Sequence, residues 1–349
     1  MPPVSGVPVP LPGTPLDPPS GPATIAWTVD IRAAPIISPL VTADRVIVAH
    51  LPGAVAGFDR ATGHQLWRAD LAPVQPLATD GTFVFVSAGE ALHALRAADG
   101  TAAWHAPIGA LTAPVVAKDG WIVAATRGKL SGLRASDGST VWSIEAPSQR
   151  EAAAISGDVL YVPVVGGRLV ARDMADGKEK WNLQLGGDAV EPLVVNDDVF
   201  VGASDKRFYC VDARSGDIEW MITVGAAIRG RAATDGDRVI FTALDNVVHA
   251  VDRGNGARLW HKGVPFRPLF GPVVAAGAVF VAGPAAMRAF RSSNGDNAGT
   301  ITFPARQAVA PGWFDTGAGV VFAAVTGNLE ESWKLTLTVP LPATLRPSR

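Results

Sequence analysis

The sequence predicts an all-β protein: an eight-bladed β-propeller of four-stranded antiparallel blades, its ring closed by the N-terminal strand. Three observations predict it. Tryptophans recur at Trp27, Trp67, Trp104, Trp142, Trp181, Trp220 and Trp260, at a nearly constant interval close to forty. A glycine stands four residues before six of them, at Gly63, Gly100, Gly138, Gly177, Gly216 and Gly256. β-Branched runs such as RVIVAH, TFVFVSA, VLYVPV and RVIFTAL precede each turn-and-tryptophan string. Self-similarity at that period is the size of one propeller blade.

Each element follows in chain order. Residues 1–23 hold nine prolines and read as a semi-extended tether. They carry neither a basic n-region nor an unbroken apolar core, so they do not read as a signal peptide. The propeller is expected over 24–339, with 340–349 as a tail. ATIAWTVDI, around Trp27, is a fourth-strand sequence with no blade before it. First strands are then expected near Ser38, Pro76, Pro114, Ala153, Pro192, Arg231, Pro272 and Pro311. Each is followed by a β-branched second strand and a third strand ending in an Asp- or Asn-Gly type turn. The fourth strand carries the tryptophan. Alternation and turn chemistry argue for hairpins throughout, and the recurrent turn glycine suits a positive φ. The seventh copy, MRAFRSSNGDNAGT, keeps Gly295 but has Gly299 at the tryptophan position, which reads as decay of the repeat.

Counting from Ser38 gives eight first strands and seven fourth strands. The N-terminal strand therefore completes the last blade, which removes a sheet edge. One alternative stays open. Trp333 follows Trp260 by close to two repeats, which makes ESWKLTLTVP a second candidate for the last fourth strand. No glycine stands four residues before Trp333, which favours N-terminal closure.

Composition limits the function. The 349 residues are 48% hydrophobic and 18% charged, which excludes global disorder. A formal charge of -2 gives no polybasic surface, so no nucleic-acid partner is expected. One cysteine, Cys210, excludes an intrachain disulfide and a cysteine-built zinc site. It falls in a third strand, as a buried inert thiol. Residues 268–287 carry no charge, but Pro272, Gly277, Gly283 and Pro284 cut the stretch at strand-length intervals, so no transmembrane segment is expected. A closed ring of this kind is expected to be a monomer by itself.

The string A-x-D-x-x-[TS]-G-x-x-x-W, present with small variations as residues 57–67 and 211–220, resembles the tryptophan-docking repeat of the pyrroloquinoline-quinone (PQQ)-like propellers. Six good copies and two degenerate ones cover about 24–339. One branch of that family holds quinoprotein alcohol and glucose dehydrogenases. Another holds non-enzymatic scaffolds, notably the propeller lipoprotein of the outer-membrane barrel assembly machinery, BamB. A third holds extracytoplasmic sensor or accessory domains. The resemblance implies a location in the periplasm or cell envelope.

The chemistry expected of the dehydrogenase branch is thinly represented. The family's alcohol dehydrogenases use an adjacent cysteine pair and long inter-blade insertions. This chain has one cysteine, and its tryptophan spacings vary by only three residues. No C-x-x-C-H, G-x-S-x-G or Walker string is present. Asn196-Asp197-Asp198 and Asp235-Gly236-Asp237 read as hairpin turns rather than calcium loops. His50, His64, His93, His105, His249 and His261 are scattered, and His93 and His249 occupy equivalent positions on different blades, so no metal site is expected. No cofactor is expected. The tryptophans are expected to pack between blades.

Loops joining one blade's fourth strand to the next blade's first strand circle the central channel. In order they carry Arg32, Gln75, Gln149-Arg150-Glu151, Asp188 and Glu191, Arg229 and Arg231, Arg267, and Arg306-Gln307. This mixed charged rim is the expected partner-binding surface. Phe266 and Phe270 flank Arg267 as candidate hydrophobic anchors, with gap-filling between blades as the alternative. The leading functional expectation is a non-catalytic scaffold, BamB-like in role, that binds a protein partner in an envelope complex. The alternatives are a sensor or small-ligand-binding propeller, and a PQQ-dependent dehydrogenase.

Overall fold

In the computed structural model the described residues are 23–31, 34–268, 270–275, 277–302, 309–315, 320–327 and 333–340. All regular structure among them is β. Eight four-stranded antiparallel sheets follow one another as the blades of a propeller. Blade 1 has strands Leu40–Val41, Arg45–His50, Ala54–Asp59 and Gln65–Ala69, numbered outward from the channel. Blades 2 to 7 repeat this order through Asn297–Thr302.

Blade 8 is assembled from both ends of the chain. Gly312–Asp315, Val320–Thr326 and Lys334–Pro340 are its first three strands, and Ala23–Asp30 is its fourth. Ala23 pairs with Pro340 and Asp30 with Lys334, with one bulge between Ile25 and Trp27. Trp333 immediately precedes the third strand and is half-buried against the core between blades 8 and 1. Closure is thus N-terminal, and Trp333 is not a fourth-strand residue.

The innermost strands are only two to four residues long. Most begin one or two residues after a proline, because proline has no amide to give the ladder. Second and third strands are buried almost throughout, as in Arg45–His50 and Ala54–Asp59. Blades cover them on both faces, so they read as continuous apolar runs. Fourth strands alternate instead, as in Thr140–Glu145, with the tryptophan as the buried position.

The core consists of eight clusters, one at each junction between blades. Val46, Val48 and Phe58 of blade 1 meet Val321, Val325 and Leu335 of blade 8. Phe280 of blade 7 meets Phe322 of blade 8, with ring centroids 5.0 Å apart. The ring is therefore closed by apolar contact as well as by strand pairing.

Each docking tryptophan crosses one junction. The indole Nε1 of Trp67 donates to the Ala97 carbonyl of blade 2 at 3.1 Å. Trp27, Trp104, Trp142, Trp181, Trp220 and Trp260 donate likewise to Arg60, Ala135, Met174, Ala213, Arg253 and Ser292 of the following blade. Each ring lies on the glycine of the next blade's outer turn. At Gly100 (φ +71) a Cβ would sit 2.5 Å from the Trp67 ring. Turn carboxylates hold these loops. Asp59 Oδ1 accepts from the amides of Ala61 and Thr62, and Asp212 Oδ1 from those of Arg214 and Ser215.

Gly299 has a structural reason beyond decay of the repeat. Blade 7 faces blade 8, whose third and fourth strands come from the two ends of the chain. Among the described residues no outer turn joins them, so a tryptophan at 299 would find no described turn carbonyl or glycine to dock on. The uncharged stretch 268–287 forms blade 7 strands, Val273–Ala275 and Ala278–Ala282 among them. No helix of the described residues is long and apolar enough to cross a membrane.

Candidate functional site

The loops entering blades 1, 2, 3, 5 and 6 are pinned before their first strands begin. Isolated bridges join Pro35 to His50, Pro73 to Ala88, Leu111 to Thr126, Ala189 to Ala203 and Ile228 to Ala243. Each loop thereby pairs with the end of its own blade's second strand. Along these blades the rim is a fixed surface on which charged side chains are mounted.

Four of the expected rim residues converge. Arg150 and Glu151 before blade 4, Asp188 before blade 5 and Arg229 before blade 6 line one cleft of ≈ 140 Å³. Pro163, Val164 and Val165, at the inner hairpin of blade 4, and Ser204 of blade 5 complete its wall. Asp188 is held there by two contacts: its Oδ1 accepts from the Gly166 amide at 2.7 Å, and its carbonyl accepts from the Ser204 amide at 2.9 Å. Deeper in the rim, Arg231 Nε lies 3.6 Å from Glu191 Oε1. Burial pushes the Glu151 carboxyl upward, and Arg229 partly offsets this. Burial also raises Glu191, with Arg231 opposing and Glu151 adding to the shift. Two carboxylates and two guanidiniums therefore interact along one arc of the ring.

The rest of the rim is arranged differently. Arg267 is exposed and outside this cleft. Arg306 and Arg32 lie outside the described residues. Phe270 is 41% exposed, whereas Phe266 is half-buried over Gly283 and packs against the junction of blades 6 and 7. Phe266 fills a gap between blades, and Phe270 alone of the two is presented to solvent. The backbones at Gly230 and Gly271 approach so closely that neither position has room for a Cβ. That contact fixes Arg229, Arg231 and Phe270 relative to one another.

The hairpin walls of the cleft were not apparent from sequence. Pro163–Val165 and Ser204 are separated in the chain from the loops they face. Only the repeat register, which puts second-to-third-strand turns on the same face as the entering loops, signals them.

Other chemistry-bearing groups lie away from the rim. Cys210 is fully buried, opposite Trp220, where blades 1 to 4 and 6 place glycine or alanine and blade 8 places Leu337. Its thiol donates to Glu219 Oε2 at 3.4 Å, and burial, Asp198 and Glu219 push its pKa up. Asp198 in turn lies 3.7 Å from Arg253 of blade 6. The thiol is held protonated within an ion-paired cluster. Asp235 caps its hairpin by accepting from the Arg238 amide and side chain, each at 2.9 Å, as turn chemistry requires.

Four of the six histidines are brought together in space. His93 pairs directly across strands with His105, and His249 with His261. The relevant partners lie within one blade, twelve residues apart, rather than at equivalent positions of two blades. That common separation of twelve was the sequence signal.

Eight riveted blades and a fixed charged rim define a tryptophan-docking propeller. The chain belongs to the PQQ-like propeller family described as outer membrane protein assembly factor BamB, whose model matches residues 16–77, 52–262 and 187–310. Outer membrane protein assembly factor BamB of Yersinia pestis is 30% identical over a stretch covering 28% of this chain and 29% of that protein. The match thus spans less than a third of that relative. The crystal structure of BamB from Moraxella catarrhalis superposes with a TM-score of 0.75 over 91% of this chain and 99% of that one, at 18% identity. Quinohemoprotein alcohol dehydrogenase from Comamonas testosteroni superposes with a TM-score of 0.76 over 94% of this chain and 78% of that one, at 12% identity. At these identities the structural likeness carries the fold alone.

Proposed function

We propose that this protein is a non-catalytic scaffold of the cell envelope. In this reading it holds a protein partner on its channel rim during outer-membrane protein assembly. Membership of the BamB family supports the general role. The observation that carries the surface is the convergence of Arg150, Glu151, Asp188 and Arg229 on one cleft. Asp188 and Arg229 stand beside bridged residues, and the loop of Arg150 and Glu151 is tied to the blade 4 hairpin by the Val165 amide donating to the Ser148 carbonyl at 3.0 Å, so a partner meets a preformed pattern. Such patterns favour specificity and register, and desolvated arginines are frequent anchors. Arg231 and Glu191 extend the pattern inward, and Arg267 and Phe270 extend it around the ring.

The test is affinity capture from native envelope membranes with the wild type and with Arg229→Glu/Arg231→Glu/Arg267→Glu. The same co-purifying envelope protein should be recovered by the wild type and lost from the triple variant, while the thermal midpoint stays within a few degrees. Equal recovery by both proteins would remove the rim from the account. The dehydrogenase alternative is tested separately, by adding PQQ and calcium and assaying dye-linked alcohol or aldose oxidation. Turnover there would overturn the non-catalytic reading. A large stabilising shift with PQQ or a sugar but no turnover would favour the sensor alternative.

A further inference from the structure

In five of the eight blades the cross-strand pair formed by one third-strand residue and the residue after the fourth-strand tryptophan position is polar on both strands; blades 1, 4 and 5 have Ala56 with Arg68, Val170 with Asn182 and Tyr209 with Met221 instead. Ser131 and Ser143 hydrogen-bond at 3.0 Å in blade 3. Arg288 donates to Thr300 at 3.1 Å in blade 7. Thr28 and Thr336 lie 3.2 Å apart in blade 8. In blades 2 and 6 the same pair is histidine with histidine. Four of the six histidines of the chain are used in this way.

The two histidine pairs differ in setting. His93 and His105 have ring centroids 5.9 Å apart and planes within 22°. His105 is exposed and His93 half-buried, so the pair opens to solvent. Neither ring hydrogen-bonds another described residue, and two stacked imidazoles leave their edge nitrogens free. His249 is 8% exposed and stacks on Phe241 at 5.1 Å, which itself stacks on Phe208 at 4.1 Å. That ring is locked into the junction between blades 5 and 6.

We infer that His93 and His105 form a chelating site for a divalent transition metal of the copper, nickel and zinc group. Imidazole nitrogen is a borderline ligand suited to these ions, and copper(II) binds most strongly in the series. Directly opposed strand residues hold their Cβ atoms about 4.5–5.5 Å apart, which suits two-point chelation. Two imidazoles on one metal, at about 2.0–2.1 Å metal–nitrogen distance, bring their centroids to roughly 5 Å. The rings stand a little further apart than that, and a rotamer adjustment of the exposed His105 closes the gap. The remaining coordination positions face solvent and are open to water or to a ligand from a partner. The blade 6 pair has the same residues in the same register, but its His249 is buried and locked against Phe241 although His261 is exposed, so it serves as an internal control that should not bind.

The experiment is a titration of the full-length chain with Cu²⁺, followed by calorimetry and by electron paramagnetic resonance. The wild type should bind one equivalent with a nitrogen-coordinated signal. His105→Gln should weaken binding at least tenfold and simplify the nitrogen pattern. His261→Gln should leave both unchanged. Because His105 is exposed, its variant should keep the wild-type melting temperature, so loss of binding reports on the site. His93→Gln supplies the same loss from the other strand. Undiminished binding in the His93→Gln/His105→Gln protein would overturn the inference, as would a loss that follows His261→Gln instead.

Discussion

A docking tryptophan joins two blades by two kinds of force. Its ring removes apolar surface from water at the junction, and its indole N–H satisfies a turn carbonyl of the next blade. The glycine beneath the ring is required for both space and backbone conformation. Gly100→Ala should therefore cost more than Gly120→Ala. Both positions have positive φ, which costs roughly 1–2 kcal/mol for a residue with a Cβ. Only at Gly100 must the Trp67 ring also move, since nothing lies within 4 Å of a Cβ at Gly120. Urea unfolding of the two variants measures the difference, and equal losses would contradict the docking geometry. His249 gives a second prediction at this scale. Burial lowers its pKa to about 4, with Arg258 and His261 adding to the shift and Asp245 opposing it. The unfolded chain protonates first, so stability is fully present above about pH 6.5 and lost as pH falls toward 4. The slope approaches about 1.4 kcal/mol per pH unit. His249→Phe should flatten it, as read from chemical denaturation at pH 7, 6 and 5. A slope unchanged in the variant would remove His249 as its source. At this scale the sequence showed the tryptophans and their glycines, because strict spacing exposes them. It hid the histidine pairs, because pairing depends on strand register and on the bulge before each docking residue.

At the scale of elements, strand identity was legible and strand burial was not. The β-branched runs mark second strands, yet their burial on both faces follows from neighbouring blades that local sequence does not reveal. First strands begin one or two residues later than their prolines suggest, because those prolines end the incoming loop. Blade 7 shows what an element loses without a docking partner. Restoring the repeat consensus with Gly299→Trp should destabilise the protein. Its backbone, at φ +129, suits glycine, and strain of this kind costs of order 1–3 kcal/mol. An increase in melting temperature would mean that blade 8 does offer a docking surface. The rim cleft belongs to this scale too. Its charged loops were legible from the order of the blades. Its hairpin wall, and the burial of Phe266 beside the exposed Phe270, depended on packing.

At the scale of the whole molecule, a ring must solve closure. This chain does so by pairing its first described strand with its last, so that the final blade forms only when both ends have arrived. The rim depends on that closure, because its loops keep their spacing only while the blades stay in a circle. The repeat count made this arrangement legible. What the count left open was Trp333, whose separation from Trp260 imitates two repeats although it precedes a third strand. Thr28 and Thr336 are directly opposed across the closing pair, with their hydroxyls 3.2 Å apart. The most direct measurement is disulfide formation in Thr28→Cys/Thr336→Cys, made in a Cys210→Ala background. The closed ring predicts a disulfide under mild oxidation of the folded protein, faster gel migration, and a stabilisation of about 2–5 kcal/mol over the reduced form. Two thiols that remain free under those conditions, with the protein still folded, would contradict it.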